Sequence, residues 1–257
     1  MKINKIIFPI VLLFTGFIFT SCKDSVSPEV PVPIQNYFPL PNGAVLKYSV
    51  DSVSAGGQYY RIGTKILSFG PEQVTAGTPY YQQNEQIDYS DGGSVSQRSK
   101  VRKTERGLYY YLDTTGISLL IPDSLKPFIQ IDREITGLSL PFYSGQTWSA
   151  FKFNVVIIPI INCTATYLGS TQISDTISGS TGVISAERIG YNLTISVPDL
   201  GQGPVSLQYS GEIWYSKDLG IVKREGDYFL FQFLGGSEID FLLPNYKIRK
   251  KLSEIIK

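Results

Sequence analysis

Apolar and polar positions repeat along this chain with a period of two. From Leu46 to Asp51 the side chains alternate, with Leu46, Tyr48 and Val50 on one face and Lys47, Ser49 and Asp51 on the other, as a half-buried strand requires. Tyr37-Phe38-Pro39-Leu40 and Asn42-Gly43 form a turn feeding that strand, and Gly56-Gly57 closes it. Tyr59 to Phe69, Tyr80 to Tyr89, Ser94 to Thr104 and Leu108 to Leu112 follow as strands. Gly70-Pro71, Asp91-Gly92-Gly93 and Arg106-Gly107 separate them, all strong turn formers. Arg98, Lys100 and Arg102 share one face of the third of these strands, so that face must be solvated. Ile117 to Pro127 carries two prolines in an apolar run and predicts a strand with an irregular lip. Ile129 to Leu140 predicts another strand.

Two stretches break the alternation. Phe151 to Tyr167 is the most hydrophobic segment after the chain's start, and at Val155 to Ile161 both strand faces would be apolar. Such a strand is expected to be covered on both sides. Tyr228 to Leu234 has the same character, with Phe229, Phe231 and Phe233 on one face and Tyr228, Leu230 and Leu234 on the other; it is expected to be a central strand. Ile173 to Gly182 reads as a Ser/Thr/Gly loop, and Val183 to Val197 and Val205 to Ser216 as long strands joined by a turn from Pro198 to Pro204. Short strands at Glu212–Ser216, Gly220–Glu225, Tyr228–Leu234 and Glu238–Leu243 make a meander. Their regular spacing implies sequential antiparallel neighbours. The last residues, Lys247 to Lys257, are basic, with Ile248, Leu252, Ile255 and Ile256 at helical spacing; they predict a solvated terminal helix able to meet anionic headgroups. The fold class is all-β: a single antiparallel meander, either a curved sheet or half-barrel, or a β-sandwich.

The beginning of the chain is a different object. Lys2 and Lys5 precede an almost wholly apolar run from Ile6 to Phe19, then Thr20 and Ser21 lead to Cys22. This is the pattern of a secretory signal ending in a lipobox, whose cysteine is lipidated and becomes the new N-terminus. As a helix the apolar run would reach only about 21 Å, short of the ~30 Å hydrocarbon core. Phe19 and Ser21 stand where the commonest lipobox has Leu and Gly or Ala. Lys23 to Gln35, with Pro28, Pro31 and Pro33, predicts an extended tether reaching about 40 Å. The expected organisation is a signal peptide (1–21), lipidated Cys22 with its tether (22–36), one β domain (37–246) and a basic tail (247–257).

Composition narrows the chemistry. The 257 residues include 17 Tyr and 14 Phe but no histidine, which removes the commonest general base and every His-dependent triad. Lys2 and Lys5 account for two positive charges, so a net charge of +1 becomes −1 from Cys22 onward, and nothing favours nucleic acid. With Cys22 lipidated, Cys163 has no partner for a disulfide and is expected to be a small buried apolar residue. No phosphate loop, dinucleotide fingerprint or thiolate cluster is present, so no cofactor or metal is implied. Ser149-Ala150-Phe151-Lys152 matches Ser-x-x-Lys formally, but on a predicted strand and lacking that chemistry's partner motifs. Asp88 and Asp91 with the following glycines are better explained by a hairpin than by a calcium loop. Glu85, Asp88, Glu187 and Glu212 are the carboxylates a hydrolase of polysaccharide or peptide would bring together.

Tyr59, Tyr60, Tyr80, Tyr81 and Tyr109 to Tyr111 fall on three of four successive predicted strands. Cross-strand packing is their leading explanation; a ligand-facing platform is the alternative, with Tyr60, Tyr81, Tyr110, Trp148 and Trp214 as its candidates.

Two motifs carry a family likeness. Tyr37-Phe38-Pro39-Leu40 with a following glycine, and the run Gly211-Glu212-Ile213-Trp214-Tyr215-Ser216-Lys217-Asp218-Leu219-Gly220-Ile221-Val222-Lys223-Arg224-Glu225, resemble the opening and closing patterns of uncharacterised Bacteroidota-type envelope lipoproteins. Cys22-Lys23-Asp24 resembles the start of their surface-exposed members. Together the two motifs span about a tenth of the chain, and the resemblance implies location rather than chemistry. By analogy the architecture is similar to the curved sheets of periplasmic lipoprotein carriers, which enclose an apolar cavity. The resulting expectation is a non-enzymatic lipoprotein of the bacterial cell envelope, at the outer membrane on its periplasmic or surface side. It would bind or scaffold, holding the membrane through its lipid and taking an apolar or glycan ligand. The rival is the carboxylate hydrolase: two facing carboxylates in a pocket would mark it, whereas an aromatic-lined concavity would mark binding.

Overall fold

The computed structural model describes residues 36–39, 45–113, 123–124, 126–197, 205–236 and 246–256. The predicted leader, Cys22 and the predicted tether, and the predicted strand Glu238–Leu243 lie outside these, as does most of Ile117 to Pro127. The described chain forms strands β1 (Val45–Val53), β2 (Tyr59–Thr75), β3 (Thr78–Tyr89), β4 (Ser94–Thr104), β5 (Gly107–Tyr111), β6 (Ile129–Ile131) and β7 (Glu134–Ser139). Then come β8 (Thr147–Val155), β9 (Ile158–Ile177), β10 (Ser180–Val197), β11 (Val205–Ser216), β12 (Gly220–Asp227), helix α1 (Tyr228–Leu234) and β13 (Lys247–Ile256). A 3-10 turn at Lys126–Phe128 precedes β6.

All strands join one antiparallel sheet of 13, in the order β6-β8-β9-β10-β11-β12-β13-β1-β2-β3-β4-β5-β7. The curved-sheet expectation holds, and the architecture is not a sandwich. The sheet curls until its two ends meet. Trp148 Nε1–H donates to Thr136 O across 3.2 Å, and Tyr215 Oη–H donates to Gly137 O across 3.2 Å. Tyr191 Oη–H also donates to Gly137 O. Side chains thus satisfy carbonyls along β7, an edge that would otherwise be open to strand addition. Because every pairing is antiparallel, the turns alternate between two ends. The entering chain at Asn36 bonds Asp218 and Lys103 at one end; the β8–β9 turn lies at the other.

Four expectations are corrected. Tyr228–Leu234 is helical, and all seven of its side chains are buried. An apolar run on both strand faces is equally apolar around a helix, so periodicity alone does not separate the two. Lys247–Ile256 is a strand that pairs with both β12 and β1, so the β domain runs on through Ile256 and has no terminal helix. Ile248, Lys250 and Leu252 are its buried positions: the period-two reading wins because the sheet buries that face. Ile173–Gly182 is no loop, since β9 and β10 continue to a two-residue turn at Ser178-Gly179. Val155–Ile161 is not one covered strand, because the β8–β9 turn at Val156-Ile157 splits it.

Helix α1 lies against the concave face of the sheet. Phe233 packs edge-on against Phe151 with centroids 5.3 Å apart, and Phe229 stacks on Tyr209 at 4.5 Å. A Cβ on Gly211 would come within 2.8 Å of the Phe231 ring, so that glycine makes room for the helix. Seven residues are too few for an independent helix, and burial at about 1.5–3 kcal/mol per large apolar side chain supplies its stability. Cys163 is buried in the same core, where desolvation raises its thiol to about 12. A smaller apolar cluster, including Leu46, Tyr48, Ala186, Trp214 and Leu252, lies where the β9–β10 hairpin reaches β13. There Ser178 N–H donates to Ser253 O (2.9 Å), and Lys251 pairs with Asp175 at 3.0 Å.

Candidate functional site

The concave face also carries charge. Arg224, Lys250, Lys65 and Glu85 come from β12, β13, β2 and β3, neighbours in the sheet apart from the intervening β1. Lys65 pairs with Glu85, and Arg224 stands directly opposite Lys250. Three cations therefore share one carboxylate. Desolvation pushes Lys250 well below the usual lysine range and Lys65 down to about 8. Glu85 is held down to about 2: burial works against the carboxylate, but Lys65, Arg224 and Lys250 together outweigh it. For Lys65 the attraction of Glu85 does not outweigh burial. The buried Gln83 Oε1 and Tyr110 Oη nearby lack a hydrogen-bond partner. Lys65, Arg224 and Lys250 of this seam are buried, whereas the opposite face is accessible.

On that opposite face a groove of about 630 Å³ crosses the sheet. Its floor is β11 and β12, where Ser210, Glu212 and Trp214 alternate with the inward Ile213 and Tyr215, and Lys223 and Glu225 face them across the ladder. Thr166, Leu168 and Asn192 from β9 and β10 form one wall, and Val53, Tyr59 and Lys247 the other. Gly211 and Gly226 pair across the floor. Gly226 has φ +147°, and a Cβ there would lie 2.3 Å from Gly211 Cα, so the close approach of the two strands requires glycine.

The groove holds two facing carboxylates. Glu212 and Glu225 are cross-strand partners, an arrangement that is unfavourable unless each charge is compensated. Here each is. Glu225 takes Lys223 at 2.7 Å and the Tyr59 hydroxyl at 2.9 Å, and Arg188 lies 3.5 Å from Glu212. Burial opposes ionisation of Glu225, yet the bonds from Lys223 and Tyr59 hold its carboxyl below the usual range. A general acid needs the reverse shift. Lys223 sits over the Trp214 ring at 4.2 Å and Arg249 over Tyr59 at 3.5 Å, so both aromatic rings are locked in place.

The five candidate aromatics do not meet. Trp214 lines the groove. Tyr60 is 59% exposed, but the groove takes its sequence neighbour Tyr59 instead. Tyr110 is buried in the interior, Tyr81 packs against the main core, and Trp148 fastens β8 to β7. The four candidate carboxylates are likewise dispersed: Glu85 is inside, Asp88 bonds Ser94 and Gln86 near a hairpin, and Glu187 accepts from Tyr37, Tyr167 and Ser170. Glu225 was missed. A regular hairpin about Lys217-Asp218-Leu219 would set Arg224 opposite Glu212; the bulge between Trp214 and Tyr215 shifts the register by one residue and brings Glu225 there instead.

No family model and no curated protein matches the chain. Two solved structures are similar. One is a "putative lipoprotein" from Parabacteroides distasonis ATCC 8503, 14% identical with a TM-score of 0.44, and the other a "putative exported protein with YMCC-like fold" from Bacteroides fragilis NCTC 9343, 12% identical with a TM-score of 0.46. Each comparison covers 86% of this chain and 98% of the other.

Proposed function

We propose that this protein is a lipid-anchored, non-enzymatic glycan-binding module of the bacterial cell envelope, and that the β9–β12 groove is its binding surface. Two facing carboxylates alone would mark the hydrolase, but Lys223 and Tyr59 hold Glu225 below the usual carboxylate range, the reverse of what a general acid needs. The carrying observation is therefore this compensated Glu212–Glu225 pair set beside Trp214 and Tyr59. Two compensated carboxylates, with Asn192 and Ser210 near them, supply acceptors and donors for sugar hydroxyls, and immobilised aromatic edges supply apolar contact for ring CH groups. A saccharide suits this mixed lining better than an apolar ligand. The envelope location rests on the lipobox pattern at Cys22 and the tether after it.

Titration calorimetry with oligosaccharides released from bacterial envelope polysaccharide tests the reading. Binding is expected for the native chain, with a loss on the order of tenfold in the Glu212→Gln/Glu225→Gln variant, the scale of charge-assisted hydrogen bonds. Equal affinity of the two proteins would refute the groove as the site. Release of new reducing ends by the native chain, abolished in the variant, would establish the hydrolase instead.

A further inference from the structure

The β8–β9 hairpin ends in the two-residue turn Val156-Ile157, immediately followed by Ile158. Ile157 is 89% exposed, Ile158 57% and Val156 51%. Phe128, 55% exposed, is joined to this tip by the hydrogen bond from Val156 N–H to its carbonyl, at 2.7 Å. Val205 and Leu207 are exposed at the same end of the sheet, two strands away on β11.

The turn is also costly to make. Two-residue hairpin loops favour Asn and Gly because they need positive φ, yet Val156 adopts φ +59°, a strained conformation for a β-branched side chain. Local chemistry thus runs against both exposure and backbone preference. No charged residue occurs from Phe153 through Ser174.

We propose that this tip is a membrane-insertion element that buries Val156, Ile157, Ile158 and Phe128 among the acyl chains of a lipid bilayer. A protein partner fits less well. Stable interfaces engage about 20–30 residues a side, whereas the exposed apolar side chains described here are Val156, Ile157, Ile158 and Phe128, with Val205 and Leu207 two strands away. A bilayer needs no complementary shape; the hairpin itself is uncharged, and Lys126, which precedes Phe128, is paired with Asp123 at 2.5 Å, so the tip needs no anionic headgroups. Burial of such side chains at the headgroup boundary reaches about 5–10 Å deep.

The predicted tether is compatible with this. Fourteen residue steps from Cys22 to Asn36 span at most about 46–50 Å, while a nine-residue strand such as β8 is about 30 Å tall. The chain enters at the end opposite the tip, so a tether of that length allows the tip to reach the membrane that holds the lipid. This contact does not depend on the glycan reading of the groove.

Fluorescence of the full chain carrying Ile157→Trp, mixed with phosphatidylcholine vesicles brominated on the acyl chains, is the test. The expected result is a blue-shifted emission quenched several-fold more than that of Val183→Trp, an exposed site at the opposite end of the sheet. Ile158→Trp should behave like Ile157→Trp. Equal quenching at Ile157 and Val183 would mean that the lipid anchor alone brings the protein near the vesicle, and would overturn the proposal. So would a blue shift that grows with protein concentration in the absence of lipid, which would place a second copy of the chain over the tip.

Discussion

Val155–Ile161 and Tyr228–Leu234 are two apolar runs of seven residues with opposite fates. The second is a helix with every side chain buried; the first is split by a turn whose tip holds the most exposed large apolar side chain described. Hydrophobicity set neither outcome. Tyr228–Leu234 follows Asp227 and precedes Gly235-Gly236, where φ +65° at Gly236 turns the chain and a Cβ would lie 2.8 Å from Tyr111 O. The run is thus confined within the curl of the sheet. Val156-Ile157 instead joins two strands that are neighbours in the sheet, so it must stand at the sheet's end whatever its polarity. Placement in the topology, more than composition, determines burial.

The comparison is broken first by truncation. Phe233→Ala should cost about 3–5 kcal/mol in urea unfolding, because it empties the contact with Phe151. Ile157→Ala should stay within about 0.5 kcal/mol of the native chain. Similar losses at both sites would mean that the tip is packed in solution.

Charge beneath the helix gives a second effect of comparable size. Glu85→Gln leaves Lys65, Arg224 and Lys250 buried together without a counter-charge and should cost about 3–5 kcal/mol at pH 7. The native pH profile carries the same signature. With its pKa lowered to about 2 in the folded protein, Glu85 binds protons more weakly there than in the unfolded chain. Its contribution is therefore complete above about 4.5, the unfolded value, and lost as pH falls toward 2. Lys65, lowered to about 8, gives a slope of the same sign in a higher window: its burial penalty is full below pH 8 and is relieved as pH rises to about 10.5. Thermal melts of native and Glu85→Gln protein across pH 2–6 should show a flatter acid limb in the variant; parallel limbs would remove Glu85 as the cause.

The smallest effect sharpens the contrast. Val156→Gly should stabilise the protein by about 1 kcal/mol, since glycine relieves the strain at φ +59°. A destabilised variant would show that the valine side chain is held by contacts within the fold.

Much of the sheet was legible from alternation alone. β1, β3, β4, β5 and β12 fall close to their expected places, and Cys163 is buried; of the row expected to be solvated Arg98 is exposed, whereas Lys100 is half-buried and Arg102 is held by Glu134 and Tyr109. The candidate site was less legible. Trp214 stood out as an aromatic on a strand, but Glu225 acquires meaning only opposite Glu212, and Tyr59 rather than its neighbour Tyr60 faces the groove. Strand periodicity separates odd from even positions but does not say which set faces which wall.

By itself the sequence determined that the chain is a succession of antiparallel strands, because period-two patterning and glycine turns act over a few residues. It also excluded histidine chemistry outright. Only the tertiary structure decided which apolar run would be covered, that the basic last segment would be a central strand, and that Arg224 and Lys250 would face each other inside. Those outcomes depend on which strands become neighbours when the sheet curls, and contacts as distant in sequence as β1 with β13 leave no local trace.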